Sequence, residues 1–239
     1  MRVVEILELG RTDYKICWDF QRRVFGLRAA GLIPDSLLLT EHDHVYTIGK
    51  GGDTDHLLAN ELELKERGAT VYHNDRGGDV TYHGPGQLVG YPILDLRSYY
   101  LDLHRYLRDI EEVIIRSLKA FDLLGRRIDG YTGVWVDDDK ICAIGVKSSR
   151  WVTMHGFALN VNTDLSFFQR IIPCGIFEKG VTSLGQLVGR DVEMEEVSDR
   201  VIKEFGNVFH VEVRNGESEK MLGFNDLPEG ESNSLMAVD

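Results

Sequence analysis

The chain has 239 residues, 43% of them hydrophobic and 28% charged, a balance that supports one sizeable core and excludes disorder for most of the length. Its formal net charge of −12 argues against a nucleic-acid-binding surface, which needs clustered Lys and Arg. No apolar run approaches the roughly 18 residues of a membrane span, and the start of the chain lacks the apolar core of a signal peptide, so the sequence predicts a cytoplasmic protein with no membrane and no nucleic-acid partner.

Residues 14–30 carry helical periodicity, with Tyr14, Cys17, Trp18, Val24 and Phe25 on one broad face and Gly31 where a C-terminal cap belongs. Residues 36–40 and 44–48 read as strands flanking a turn at Glu41-His42-Asp43. His42 is assigned to that turn, and His44 is left open between turn and pocket. Gly49-Lys50-Gly51-Gly52 reads as a flexible loop, and strand-like runs follow at 69–73 and 88–94. The clearest helix spans 103–121, because Leu103, Leu107, Ile110, Ile114, Leu118 and Phe121 recur at intervals of three and four. Glu111, Glu112, Arg116 and Lys119 read as its solvated face.

Beyond Gly125 the pattern turns strand-rich, at 132–136, 141–146 and 151–161. The Asp137-Asp138-Asp139 run between the first two reads as a solvated turn rather than a metal site, since three consecutive aspartates in a turn point in different directions. A short helix is expected at 164–170, an amphipathic helix with Val197, Val201 and Phe205 at 195–205, and a final strand at 208–213. After Asn215-Gly216 the composition becomes polar and acidic and reads as a mobile tail. Strands alternating with helices, several in hairpin-like pairs, predict an α+β fold on a mixed sheet: one catalytic domain over 1–214, a tail over 215–239, and a monomer.

The most informative stretch is Arg76-Gly77-Gly78-Asp79-Val80-Thr81-Tyr82-His83-Gly84-Pro85-Gly86-Gln87. Its four glycines let backbone N–H groups meet a ligand with no Cβ in the way, and a cation, a hydroxyl and an imidazole stand close by. It is read as a binding loop.

Three widely separated cysteines fit neither a disulfide framework nor a zinc ribbon. Cys17 belongs to the apolar face of the first helix. Cys142 sits between Ile141 and Ala143 in a packed strand and reads as structural. Cys174, between Pro173 and Gly175, occupies an irregular point that suits a reactive thiol in covalent acyl transfer. A nearby cation would lower its pKa from about 8.5. Lys140, Lys147, His83 and His155 are candidates, and spacing does not choose among them.

Four blocks, Arg76 to Gln87, Lys140-Ile141-Cys142-Ala143-Ile144-Gly145, His155-Gly156-Phe157-Ala158-Leu159-Asn160-Val161 and Pro173-Cys174-Gly175, occur in the order seen in the octanoyltransferases of lipoate biosynthesis, which this chain resembles over roughly residues 1–190. The resemblance implies the mixed-sheet fold of biotin and lipoate protein ligase catalytic domains. It implies a ping-pong reaction in which octanoyl passes from octanoyl-acyl carrier protein to an enzyme cysteine, then to a lysine of a lipoyl domain in 2-oxoacid dehydrogenases or the glycine cleavage H protein. Cys174 matches the acyl-carrying cysteine and Lys140 the catalytic lysine. The substrate pocket maps onto Arg76, Gly77, Gly78, Asp79, Val80, Thr81, Tyr82 and His83, onto Ala143, Ile144 and Gly145, and onto Gly156, Phe157 and Ala158. His83 and His155 become polar wall residues, and no cofactor or metal is implied. The rival reading is an ATP-dependent lipoate or biotin ligase, which has no need of Cys174. An acidic carrier would dock on a local basic cluster, for which Lys147, Arg150, Arg126 and Arg127 are the candidates.

Overall fold

The structure is a computed structural model that describes residues 2–172 and 180–216. Its larger sheet has seven strands: β1 (Arg2–Thr12), β2 (Asp35–His42), β6 (Gln87–Ile93), β7 (Val134–Val136), β8 (Asp139–Ser149), β9 (Val152–Asn160) and β10 (Val211–Asn215). They lie in the order β10-β1-β2-β6-β9-β8-β7. The pairs β1–β10 and β1–β2 are parallel and the rest antiparallel, so the sheet is mixed. A second, three-stranded sheet joins β3 (Val45–Ile48), β4 (Thr70–His73) and β5 (Val80–His83) in the order β4-β3-β5.

Helix α1 (Tyr14–Ala29) packs Cys17, Phe20 and Val24 on Leu38, Val89, Tyr91 and Ala158 of one face of the large sheet. Its ends follow from local chemistry. Asp13 caps the N-terminus by accepting Ile16 N–H, and Gly31, at φ +73°, takes the left-handed position that lets Leu32 N–H reach Leu27 C=O at 2.9 Å. On the opposite face α3 (Leu103–Leu118) and α5 (Met194–Phe209) bury Ile110, Ile114, Val201 and Phe205 against Leu37, Leu88 and Leu159. Two shorter helices, α2 (Glu61–Glu66) and α4 (Leu184–Val188), complete the set among the described residues. The small sheet has its own core, in which Tyr46, Ile48, Val80 and Tyr82 pack on Phe167 and Ile171. No described helix is long and apolar enough to cross a membrane.

The β8–β9 hairpin closes through Arg150 and Trp151, both at positive φ, the backbone a two-residue turn of matching twist requires. Asp137-Asp138-Asp139 is an exposed turn into β8, as its sequence indicates.

Several expectations are corrected. The runs at 36–40 and 44–48 are strands as read, but they do not share a sheet: β2 pairs with β1 and β6, and β3 with β4 and β5. His42 is no turn residue but the fully buried end of β2. Glu111 does not lie on a solvated face; it is fully buried, accepting from Arg108, Arg127 and Gly133. The helix expected at 195–205 runs on to Phe209, so the last strand begins at Val211 rather than at 208. Asn215 lies within β10, and Gly216 N–H bonds Ile6 C=O, so those two residues extend the sheet.

Candidate active site

Two glycine-containing loops interlock before any cavity forms. Gly49 N–H bonds Asp79 C=O, Lys50 N–H bonds Arg76 C=O, and Gly51 N–H bonds Gly78 C=O. A Cβ at Gly49 would lie 2.5 Å from Gly78 O, so only glycine allows the approach. Arg76 organises the loop from within. Its guanidinium donates to Thr47 C=O and Asp79 C=O, both at 2.7 Å, and to Gly77 C=O at 3.1 Å, and the residue is buried. The cation thus serves to shape the loop. Gly77 N–H then bonds Val146 C=O at 2.9 Å, laying the loop along β8, where a Cβ on Gly145 would meet Gly77 O at 2.8 Å.

Between this loop, β8, β9 and β6 lies a cavity of about 610 Å3. Arg76, Gly77, Gly78, Asp79, Val80, Thr81 and His83 line it, with Ala143, Ile144, Gly145, Gly156, Phe157, Ala158 and Lys140. The sequence-predicted residues therefore converge on one site, with two exceptions. Tyr82 faces the other way, fully buried in the small-sheet core, stacked on Phe167 and bonded through its hydroxyl to His44 Nδ1 at 2.7 Å. In strand β5 the side chains alternate, so Tyr82 cannot share the face of Thr81 and His83. His44 is thereby placed in this aromatic cluster. Cys174 lies outside the described residues. The segment expected to be wholly a loop also contains β5, so its binding groups sit partly on a strand.

Lining residues the sequence reading did not select are Tyr14, Val89, Tyr91, Leu103, Leu107, Tyr131 and Trp135. Tyr14, Leu103 and Leu107 were assigned to helix core faces, and periodicity does not separate a face that meets a core from one that meets a cavity.

Burial works against the charged form of the histidines in and behind the cavity. Burial depresses His83 to about 3, with His42 opposing its protonation further. Its tautomer follows from the neighbouring amides: Asn160 Nδ2 donates to Thr182 C=O, so its Oδ1 accepts from Gln87 Nε2, and Gln87 Oε1 accepts from His83 Nδ1–H at 2.9 Å. Burial likewise depresses His42 to about 4, and its Nε2 meets Tyr91 Oη at 2.7 Å. His155 is buried and held below the ordinary imidazole range, burial outweighing the carboxylate of Asp75, whose Oδ1 lies 2.7 Å from Nε2. Burial alone would raise Asp75, yet hydrogen bonds from His155 and Lys147 hold its carboxyl well below the usual range.

Lys140 pairs with Trp135 across β7–β8, and its Nζ stands 4.9 Å from the centre of the Trp135 ring. Its backbone is clamped on the other side by residues 180–182: Lys140 N–H bonds Gly180 C=O, and Thr182 N–H bonds Lys140 C=O, both at 3.0 Å. Cys17 and Cys142 are unreactive by position. Both are fully buried, Cys17 is pushed by burial to about 12, and Cys142 is also driven up by burial. Among the described residues no group of three or more His, Cys, Asp or Glu side chains could hold a metal ion.

The family model of the lipoyl protein ligase A/B catalytic domain matches residues 13–206. A relative from Rubrobacter xylanophilus, named octanoyltransferase, is 55% identical over 201 residues, covering 83% of this chain and 90% of the relative. One from Christiangramia forsetii, also named octanoyltransferase, is 49% identical over 228 residues, covering 88% of this chain and 97% of the relative. The chain belongs to the octanoyltransferases of the lipoyl protein ligase A/B family. The crystal structure of a lipoate-protein ligase A bound with ATP shares the fold, with a TM-score of 0.77 at 20% identity over 95% of both chains. As an octanoyltransferase-family member the chain is an acyltransferase.

Within this octanoyltransferase the four basic residues offered as a carrier-docking cluster are differently engaged. Lys147 is paired with Asp75, Arg127 with Glu111 and Glu112, and Arg126 with Asp138, while Arg150 is exposed at the β8–β9 turn.

Proposed function

We propose that the protein transfers an octanoyl group from acyl carrier protein, through a thioester on Cys174, to the ε-amine of a specific lysine on lipoyl domains of 2-oxoacid dehydrogenases and the glycine cleavage H protein. The observation that carries this reading is the position of Lys140 on the wall of a cavity of about 610 Å3, a volume suited to one small ligand. Gly180 lines the same cavity and its C=O accepts the Lys140 N–H.

In the first half-reaction the Cys174 thiolate, stabilised by the Lys140 ammonium, attacks the carbonyl of the carrier thioester. The carbonyl carbon gains a bond to Sγ and loses its bond to the phosphopantetheine sulfur, which leaves as the thiolate and takes the proton of the Lys140 ammonium, leaving that amine neutral. In the second, the acceptor amine attacks the enzyme thioester, Cys174 departs as thiolate, and neutral Lys140 accepts the proton released by the amine. The apolar walls at Ala143, Ile144, Phe157 and Ala158 hold the acyl chain, and backbone groups of Gly77, Gly78 and Gly145 approach the reacting carbonyl. The reading carries with it a monomeric, cytoplasmic enzyme that uses neither ATP nor a metal.

The test is a reconstituted transfer with octanoyl-acyl carrier protein and an isolated lipoyl domain, without ATP, read as the mass of the lipoyl domain. Wild type adds one octanoyl group per domain, and Cys174→Ala and Lys140→Met do not. Modification that requires ATP and free octanoate, or that survives Cys174→Ala, would move the protein to the ligase class.

A further inference from the structure

Trp135 has no part in the reaction proposed for this site, yet its ring lies against the Lys140 ammonium. It is fully buried, lines the cavity and faces Lys140 across β7–β8, with Nζ 4.9 Å from the ring centre. An ammonium over an indole face is attracted by the ring quadrupole, most strongly where water is excluded. We propose that Trp135 is a positioning residue that fixes the Lys140 side chain and favours its charged form, so that the ammonium is in place when the thiolate must form. The inference rests on the role given to Lys140 above.

The backbone around Trp135 is held in place. Its N–H and C=O both bond Arg126, at 3.0 and 2.8 Å, and two residues earlier Gly133 N–H is held by the buried carboxylate of Glu111 at 3.0 Å. A Cβ at Gly133 would lie 2.7 Å from Cys142 O and 3.5 Å from Lys140 Cε, so the chain runs directly beneath the lysine stem. The described titratable groups around Lys140 include Asp139, whose carboxylate lies against Gly180, Glu111, which reaches it through Gly133, and the buried Cys142 thiol. Glu111 is already matched by Arg108 and Arg127.

The experiment is the pH dependence of Cys174 alkylation by iodoacetamide, mapped by peptide mass, in wild type, Trp135→Leu, Trp135→Phe and Lys140→Met. No acyl donor is needed, and Cys17 and Cys142 are shielded by burial. Loss of the ring in Trp135→Leu should move the rising limb upward by about one pH unit, in the direction of Lys140→Met, with most of the shift recovered in Trp135→Phe. A packing role alone would lower yield or melting temperature and leave the limb in place. If Lys140→Met shifts the limb and Trp135→Leu does not, the inference is wrong and the function stands. If neither shifts it, the thiolate role of Lys140 falls, and this inference falls with it.

Discussion

Glu111 Oε1 accepts the backbone N–H of Gly133 at 3.0 Å, while its other oxygen receives Arg108 at 2.7 Å and Arg127 at 2.9 Å. One buried carboxylate thus ties helix α3 to the strand that passes under Lys140. Glu111→Ala should cost about 2–4 kcal/mol, because it leaves a buried N–H without its acceptor and takes a carboxylate partner from Arg108 and from Arg127. Glu111→Gln keeps an acceptor for Gly133 and should cost less. Urea denaturation of both variants tests the order; equal costs would mean that the lost charge, not the Gly133 bond, decides the stability.

Arg76 presents one planar fork to the carbonyls of Thr47, Gly77 and Asp79. A lysine has the charge but not the geometry to reach all three. Arg76→Lys should therefore keep the fold and loosen the loop, raising KM for the acyl donor by about tenfold or more while the melting temperature falls by only a few degrees. Steady-state kinetics and a thermal melt separate the two; an unchanged KM would show that the loop holds its shape without the fork.

Acid sensitivity follows from His42 and His83. Both fold neutral, at about 4 and about 3, whereas an exposed imidazole titrates near 6.5. Their contribution is complete above the unfolded value and is lost as pH falls from there toward the folded values. Each should remove about 2 kcal/mol of unfolding free energy between pH 7 and pH 5. Denaturation curves at both pH values should show His42→Gln losing less than wild type by about that amount, and parallel losses in the two proteins would contradict the assignment.

The pairing of β6 with β9 sets Gly156 so close to Gly90 O that an added Cβ would overlap it, with the Pro92 ring also in contact. A backbone carbonyl and a proline ring leave little room to yield. Gly156→Ala should destabilise by about 1–3 kcal/mol and narrow the cavity at once. Longer acyl donors should be lost before shorter ones in a chain-length series, and a uniform loss across the series would show that the strand, not the pocket, was damaged.

Much of this site was legible in the sequence, for physical reasons that differ between elements. The stripe from Leu103 to Leu118 and the acidic turn before β8 are local patterns, and they appear as read. The glycine-rich blocks stood out because clustered glycines have few uses, and residues from them line one cavity. What escaped was long-range. Nothing within residues 36–48 records that β2 and β3 join different sheets, and His42 looks like a turn residue until Tyr91 and Thr12 surround it. Glu111 sits one residue from Glu112 on the same helix, and Arg127 and Gly133, far along the chain, join Arg108 in making its burial tolerable. Tyr82 belongs to the binding stretch in sequence but to the core by strand alternation.

The central claim is that the acyl group rests on Cys174. Intact mass of the full-length protein, taken after incubation with octanoyl-acyl carrier protein and with neither acceptor nor ATP present, tests it most directly. The account predicts an increase of one octanoyl group in wild type, none in Cys174→Ala, and return to the starting mass when a lipoyl domain is added. An unmodified enzyme that nonetheless octanoylates the lipoyl domain, or an adduct that persists in Cys174→Ala, would contradict it.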